Sequence, residues 1–182
     1  NVRAKTVMGA GKRFLEKHQH DFDVLDVELN NILGAVESAK RAESRLFVEM
    51  MQELVVGDAY FAARGHSPRS FALHQAAVDA AKRLNDLEAT QVLLGKLGNT
   101  YRELYGNLDK ALESYQEAYT IACERNDYLN QAVILGGIGI VRFDQGEEDG
   151  EMYLEKGYQL AKTHQLHLPL GHILLHRSYV AG

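Results

Sequence analysis

Two groups of residues in this chain have types and spacings that could support chemistry. The first is Gly9-Ala10-Gly11-Lys12, which resembles the end of a phosphate-binding loop. A complete loop needs a second glycine five residues before Gly11 and a hydroxyl after the lysine, but Thr6 and Arg13 stand there. The segment also lies inside a stripe of apolar residues at helical spacing rather than after a strand. We therefore predict a helix here and no nucleotide site.

The second group is a cluster of histidines near the end of the chain: His164, His167, His172 and His176. His172 and His176 are spaced to share one face of a helix, as two zinc ligands can. No glutamate follows His172 as it would in a zinc hydrolase, and no cysteine lies nearby. We predict partly exposed helix histidines, and a metal-assisted enzyme stays an alternative. Cys123 has no neighbour beyond Arg125 that would activate it, so we expect a half-buried, inert thiol.

Composition and charge restrict the classes of function. The 182 residues carry 20 Lys and Arg against 25 Asp and Glu, for a net charge of −5, and the basic residues are scattered. We therefore expect no direct nucleic-acid binding. The longest run without a charged or strongly polar residue, Ala132 to Val141, is about half of what a membrane crossing needs, so we expect no membrane span. A single cysteine favours a reducing cytoplasm. The chain ends suggest a piece of a longer protein.

A repeat organises the elements that hold these residues. Three glycines recur at Gly57, Gly98 and Gly139, where 98 − 57 and 139 − 98 both give 41. The same 41-residue period separates three further pairs of identical residues. They are the tyrosines Tyr60 and Tyr101, the turn glycines Gly65 and Gly106, and the alanines Ala77 and Ala118. A fixed period of this size predicts stacked helical hairpins. The glycines should allow close helix crossings opposite Ala77, Ala118 and Gly157.

The predicted fold is therefore all-α, a right-handed α-solenoid that forms one domain over residues 1–182. We divide it into a leading hairpin at 1–42, repeats at 44–86, 87–127 and 128–166, and a trailing half repeat at 167–182. Tyr60 and Tyr101, one turn after Gly57 and Gly98, should fill the gap towards the second helix of each hairpin. Because Arg142 takes the equivalent place in the third repeat, we expect that hairpin to be looser or to be exposed there.

The second repeat carries a recognisable pattern. Gly98, Tyr101 and the turn at Gly106 are followed by Ala111-x3-Tyr115-x2-Ala118. This resembles the tetratricopeptide repeat, in a long version similar to that of kinesin light chain and of bacterial regulatory ATPases. The leading hairpin, with Phe14-Leu15-Glu16 and the stretch from Leu25 to Val36, is similar to the segment that opens the repeat arm of signal-transduction ATPases with numerous domains. The resemblance implies a regulatory sensor or scaffold arm.

In such a repeat the first helix of each hairpin lines the inner face. The repeat register places nine residues there: Met51, Asp58, Phe61, Val92, Asn99, Arg102, Val133, Ile140 and Phe143. We predict a non-catalytic module that binds a protein or peptide partner in this groove, without a cofactor, and terminal repeats could support homo-oligomers. The alternative is a small-molecule sensor whose ligand sits against Tyr60, Tyr101 and Phe143.

Overall fold

A computed structural model describes residues 2–18, 21–56 and 68–167, and every regular element in these ranges is an α-helix. The helices are α1 (Val2–His18), α2 (Phe22–Arg41), α3 (Arg45–Val56), α4 (Pro68–Arg83), α5 (Leu87–Tyr105), α6 (Leu108–Glu124), α7 (Tyr128–Asp144) and α8 (Gly150–Thr163). The all-α prediction is confirmed for this part of the chain. None of its helices combines the length and the apolar character needed to cross a bilayer.

Local sequence signals explain where the helices begin and end. Side chains at Asp21, Asn107 and Asp127 accept hydrogen bonds from backbone N–H groups three residues later, which satisfies donors that have no partner inside the helix. A residue with positive φ follows α2, α4, α6 and α8 in turn, at Glu43, Asn85, Asn126 and Gln165. The periodicity of the sequence is thus repeated in the backbone turns.

The chain folds as two compact units, Asn1–Leu93 and Leu94–Gly182, with the boundary inside α5. In the first unit, α3 packs against α1, α2 and α4. Gly11 makes the α1 packing close, because a Cβ at this position would lie 3.0 Å from both Ala35 Cβ and Met50 Cε. Lys12 donates to Glu49 across α1 and α3 at 2.5 Å. The glycine-lysine segment therefore lies in a helix, as predicted, and Gly11 packs against α2 and α3.

The second unit contains antiparallel neighbours. Gln131 Nε2 at the start of α7 donates to the carbonyl oxygen of Ala122 near the end of α6, at 3.0 Å. Gln145, just after α7, donates to Asp109 in the first turn of α6, also at 3.0 Å. Helices α7 and α8 also run antiparallel, because Gly139 lies opposite Leu154 while Gly150 lies opposite Phe143. The proposal of a single domain stays a prediction.

The third hairpin is tighter than we expected. A Cβ at Gly139 would lie 2.9 Å from the carbonyl oxygen of Gly150, so the backbones of α7 and α8 approach closely. Arg142 binds Asp149 through two hydrogen bonds, Nε to Oδ1 at 2.8 Å and Nη2 to Oδ2 at 3.0 Å. The prediction of a looser hairpin was wrong, because this bidentate pair closes it in place of an aromatic ring.

Candidate functional site

The nine residues predicted for the groove do not all lie on an exposed surface. Asp58 and Phe61 lie outside the described residues. Met51 is completely buried, so its place in the groove must be corrected: α1, α2 and α4 cover α3 and leave this side chain no exposed surface. Val92 is half-buried in the first unit. The other five residues lie on α5 and α7 of the second unit and all keep some exposure: Asn99, Arg102, Val133, Ile140 and Phe143.

Tyr115 of α6 sets the spacing of α5 and α7. Its ring lies against two glycines: a Cβ at Gly98 would be 2.7 Å from Cε1, and a Cβ at Gly137 would be 2.9 Å from Cζ. The ring is buried and packs so closely against both helices that each facing position has room for the hydrogen atom of a glycine but not for a Cβ. The Tyr115 hydroxyl donates a hydrogen bond to Oδ1 of Asn99. This bond holds the carboxamide of Asn99 with its oxygen engaged and its NH2 group available as a donor.

The exposed face of α7 is the main feature of the site. Val133 is 50 % exposed and Leu129 and Phe143 are each 44 % exposed, while Ile140 is half-buried. At 100° per residue these four positions fall within about 80° of one another on the helix. We call this surface the α7 face.

The opposite side of α7 is apolar as well. Leu135, Ile138 and Val141 are buried in the core of the second unit. A helix that is apolar on all sides is normally covered on all sides. Here one side stays open to solvent at Leu129, Val133 and Phe143.

Arg102 connects the ends of α5 and α7. Its guanidinium lies 2.6 Å from Glu103 and 3.8 Å from Oδ2 of Asp144, which follows Phe143 at the end of α7. Arg102 thus provides a polar group at the Phe143 end of the α7 face, whereas Asn99 is connected to α7 through the ring of Tyr115, which packs against Gly137. The arrangement combines exposed apolar side chains with hydrogen-bonding groups.

Acidic groups lie near the C-terminal end of α7. Glu147 lies 4.0 Å from Arg142, and Asp149 forms the bidentate pair with the same arginine. The hydrogen bonds from Arg142, with its positive charge, lower the pKa of Asp149 despite partial desolvation. The same pair raises the pKa of Arg142, so both groups are charged at neutral pH.

Sequence reasoning missed Tyr115 and Leu129 as parts of the site. Tyr115 was recognised only as a repeat position, since the 41-residue register does not reveal that its ring reaches between two helices. Leu129 stands four residues before Val133, and this spacing is a signal that could have identified it.

The chemical alternatives receive no support from the described ranges. His164 is exposed and its ring stacks on Tyr128 at 3.8 Å, while His167 is exposed and His172 and His176 lie outside the described residues. Among the residues that are described, no three His, Cys, Asp or Glu side chains form a metal-binding group. Cys123 is exposed rather than half-buried as expected.

Comparison with known proteins yields no relative: no protein-family model, curated protein or solved structure matches this chain.

Proposed function

We propose that this chain is a non-catalytic interaction module whose α7 face binds a peptide or helical segment of a partner protein. The observation that carries the proposal is the open side of α7, where Leu129, Val133 and Phe143 remain exposed on a helix that is also apolar on its buried side. A right-handed, tetratricopeptide-like array, a role as the regulatory arm of a larger protein and a cytoplasmic location are parts of the same proposal.

Asn99 adds a second contribution. Because Tyr115 occupies Oδ1 of Asn99, the NH2 group can donate to a carbonyl of a bound chain without rearranging first. A donor that is already held in place costs less side-chain entropy on binding. The polar group and the apolar face together suit an extended segment or an amphipathic helix.

The test is a selection of random displayed peptides of about 16 residues on the immobilised chain, a length that can follow the α7 face in either conformation. The double variant Val133→Ser and Phe143→Ala should bind the selected peptides about tenfold more weakly or worse, as loss of two interface anchors does. The matched control is Val27→Ser with Met152→Ala: Val27 is 81 % exposed on α2, and Met152 is exposed to the same 44 % as Phe143. Far-UV circular dichroism checks that all forms stay helical.

If the Val133→Ser and Phe143→Ala variant binds the selected peptides as tightly as the control variant does, the α7 face is not the binding surface. If wild-type chain enriches no peptide sequence over the bare support, the proposal of a peptide-binding module fails as a whole.

A small-molecule sensor is the second candidate, on account of a cavity in the first unit. The cavity has a volume of about 420 Å³, with Phe47, Ala76 and Ala80 among its apolar lining and Lys40 and Arg83 among its charged lining. This volume lies within the range of small-molecule sites. The ligand position expected at Tyr101 is not favoured, since Tyr101 is buried with the Lys110 ammonium 5.5 Å from its ring centre, and Tyr60 lies outside the described residues.

A screen of small metabolites by thermal shift tests the sensor, because a ligand that binds the native state raises its unfolding temperature. Ala76→Leu fills part of the cavity and should abolish any shift caused by a ligand there. A shift that persists in this variant would place the ligand elsewhere.

A further inference from the structure

The end of the α7 face has an excess of negative charge. Residues 102–110 and 142–149 contain six carboxylates against three cations. The carboxylates are Glu103, Asp109, Asp144, Glu147, Glu148 and Asp149. Contacts bring these two segments together, since Arg102 lies 3.8 Å from Asp144 and Gln145 donates to Asp109 at 3.0 Å. We call this region the acidic end.

The three cations in these segments are already engaged. Arg102 pairs with Glu103 and Asp144, and Arg142 pairs with Asp149 and Glu147. Lys110 lies over the ring of Tyr101, with its Nζ 5.5 Å from the ring centre. The excess carboxylates therefore face solvent, and the exposed Glu148 has no ion pair in the described part of the chain.

The backbone adds to this negative potential. Helices α5 and α7 end at Tyr105 and Asp144, and the side chain of Arg102 in the last turn of α5 contacts Asp144 at the end of α7. Each helix C-terminus carries about half a negative charge from its unpaired carbonyl groups. The second unit as a whole has 8 Lys and Arg against 12 Asp and Glu, or −4, and so holds most of the net charge of −5.

Position relates the acidic end to the α7 face. Phe143, the last exposed apolar residue of the face, is followed directly by Asp144 and, past the turn, by Glu147 and Glu148. From Leu129 to Asp144 the helix rises about 22 Å, a distance that about seven residues of extended chain or four turns of helix cover. One partner segment can therefore contact the apolar anchors and the carboxylates at the same time.

We propose that the occupant of the α7 face is a basic amphipathic segment of another protein, with apolar side chains on Leu129, Val133 and Phe143 and two or more Lys or Arg at the acidic end. This inference rests on the proposed function and specifies the partner. Complementary charge raises the association rate and rejects acidic segments that carry the same apolar residues.

The experiment uses the most enriched peptide from the selection on the full chain, made in its selected form and with each Lys and Arg replaced by Gln. We expect the selected form to contain at least two basic residues on one side of its apolar residues. We expect the Gln form to bind about tenfold more weakly at low ionic strength, as measured by fluorescence anisotropy. The difference should shrink at high ionic strength, because salt screens exposed charges.

Two variants of the chain locate the effect. Asp144→Asn with Glu148→Gln should reduce the preference for the basic peptide by about fivefold or more. Glu113→Gln with Glu124→Gln removes the same total charge from two exposed positions on α6 and should keep the preference. Equal loss in both variants would assign the effect to the net charge of the chain and overturn the proposed contact with the acidic end.

The other outcomes also decide the question. Enrichment of neutral or acidic peptides that still require Val133 and Phe143 would overturn the charge inference and leave the proposed function standing. Failure to enrich any peptide would overturn both. A dimer seen by sedimentation and lost in the Phe143→Ala variant would make the occupant a second copy of this chain, which also overturns the inference.

Discussion

Tyr115 shows how single residues set the geometry of the second unit. Its ring is buried against Gly98 of α5 and Gly137 of α7, and its hydroxyl holds the side chain of Asn99. Neither glycine can gain a Cβ without displacing the ring, and the ring cannot move from one helix without approaching the other. Each glycine inside a helix costs about 1 kcal/mol relative to alanine, and the close packing of the ring against both helices offsets this cost.

The alanine substitutions Gly98→Ala and Gly95→Ala should therefore have opposite effects. At Gly98 the new Cβ would lie 2.7 Å from Tyr115 Cε1, so we expect a loss of stability of about 1–3 kcal/mol from overpacking. At Gly95, on the same helix, no atom lies within 4 Å of the new Cβ, and the higher helix propensity of alanine should add up to about 1 kcal/mol.

Urea unfolding of the two variants measures this difference as shifts of the midpoint in opposite directions with an unchanged slope. Destabilisation by both substitutions to the same extent would contradict the proposed role of the Tyr115 ring.

At the scale of elements, the pairing of α7 with α8 depends on a charged contact next to a glycine contact. Asp149 precedes α8 at its N-cap position, yet its carboxylate makes no capping hydrogen bond and binds Arg142 of α7 instead. The carboxylate therefore stabilises the contact between two helices rather than the start of one.

This pair predicts an acid dependence of stability. The pKa of Asp149 is lowered below its ordinary value of 3.8 by hydrogen bonding to Arg142. The stabilisation is therefore complete above about pH 4 and is lost as the pH falls through the lowered pKa of the folded state. Asp149→Asn should reduce the free energy of unfolding at neutral pH, and the difference from wild type should disappear in strong acid.

Urea unfolding at neutral and acidic pH tests this expectation, with Glu148→Gln as a control for the loss of one negative charge in the same turn. A difference between wild type and Asp149→Asn that stays constant into strong acid would show that the Arg142 pair does not stabilise the fold.

On helix α7, packing against neighbouring helices decides which apolar residues are buried. Its sequence has apolar residues on every side, with Arg142 and Asp144 as its only charged residues. The neighbouring helices cover Leu135, Ile138 and Val141 and leave Val133 and Phe143 open. The binding proposal depends on this difference between the two sides.

At the scale of the whole molecule, no metal is needed to explain the described structure. The described histidines are His164, which stacks on Tyr128, together with His18, His74 and His167, and they form no group with other ligand types. A structural zinc site needs four ligands in tetrahedral geometry. We expect elemental analysis of protein purified without chelators to find no zinc, and EDTA to leave the unfolding temperature unchanged.

Zinc at one equivalent, lost from a His172→Ala and His176→Ala variant, would contradict this expectation and restore the metal-assisted alternative. If the zinc is lost when a purification tag is removed, the tag rather than this chain binds it.

Local sequence information was enough to determine the helices. Capping side chains, turn glycines and apolar periodicity act within a few residues, so α5 and α6 lie within the predicted repeat 87–127, and α7 and α8 lie within the predicted repeat 128–166. The 41-residue period also identified a close approach at Gly98 and Gly139, because a glycine inside a helix is costly unless another group packs against it. The prediction of Tyr101, Ala118 and Gly157 as the partners in closest contact was wrong, since Tyr115 packs against Gly98, and Gly150 and Leu154 pack against Gly139. The register further indicated Val133, Ile140 and Phe143 as surface residues of one helix side.

Tertiary structure alone decided which of these residues are available. Met51 occupies the same register as Val133, yet one is buried and the other half exposed, since other helices cover α3 but not this side of α7. The ring of Tyr115 between two helices and the Arg142–Asp149 pair depend on distances across the unit. A repeat register states which side of a helix a residue is on, whereas burial depends on what packs against that side, and only the folded chain determines this.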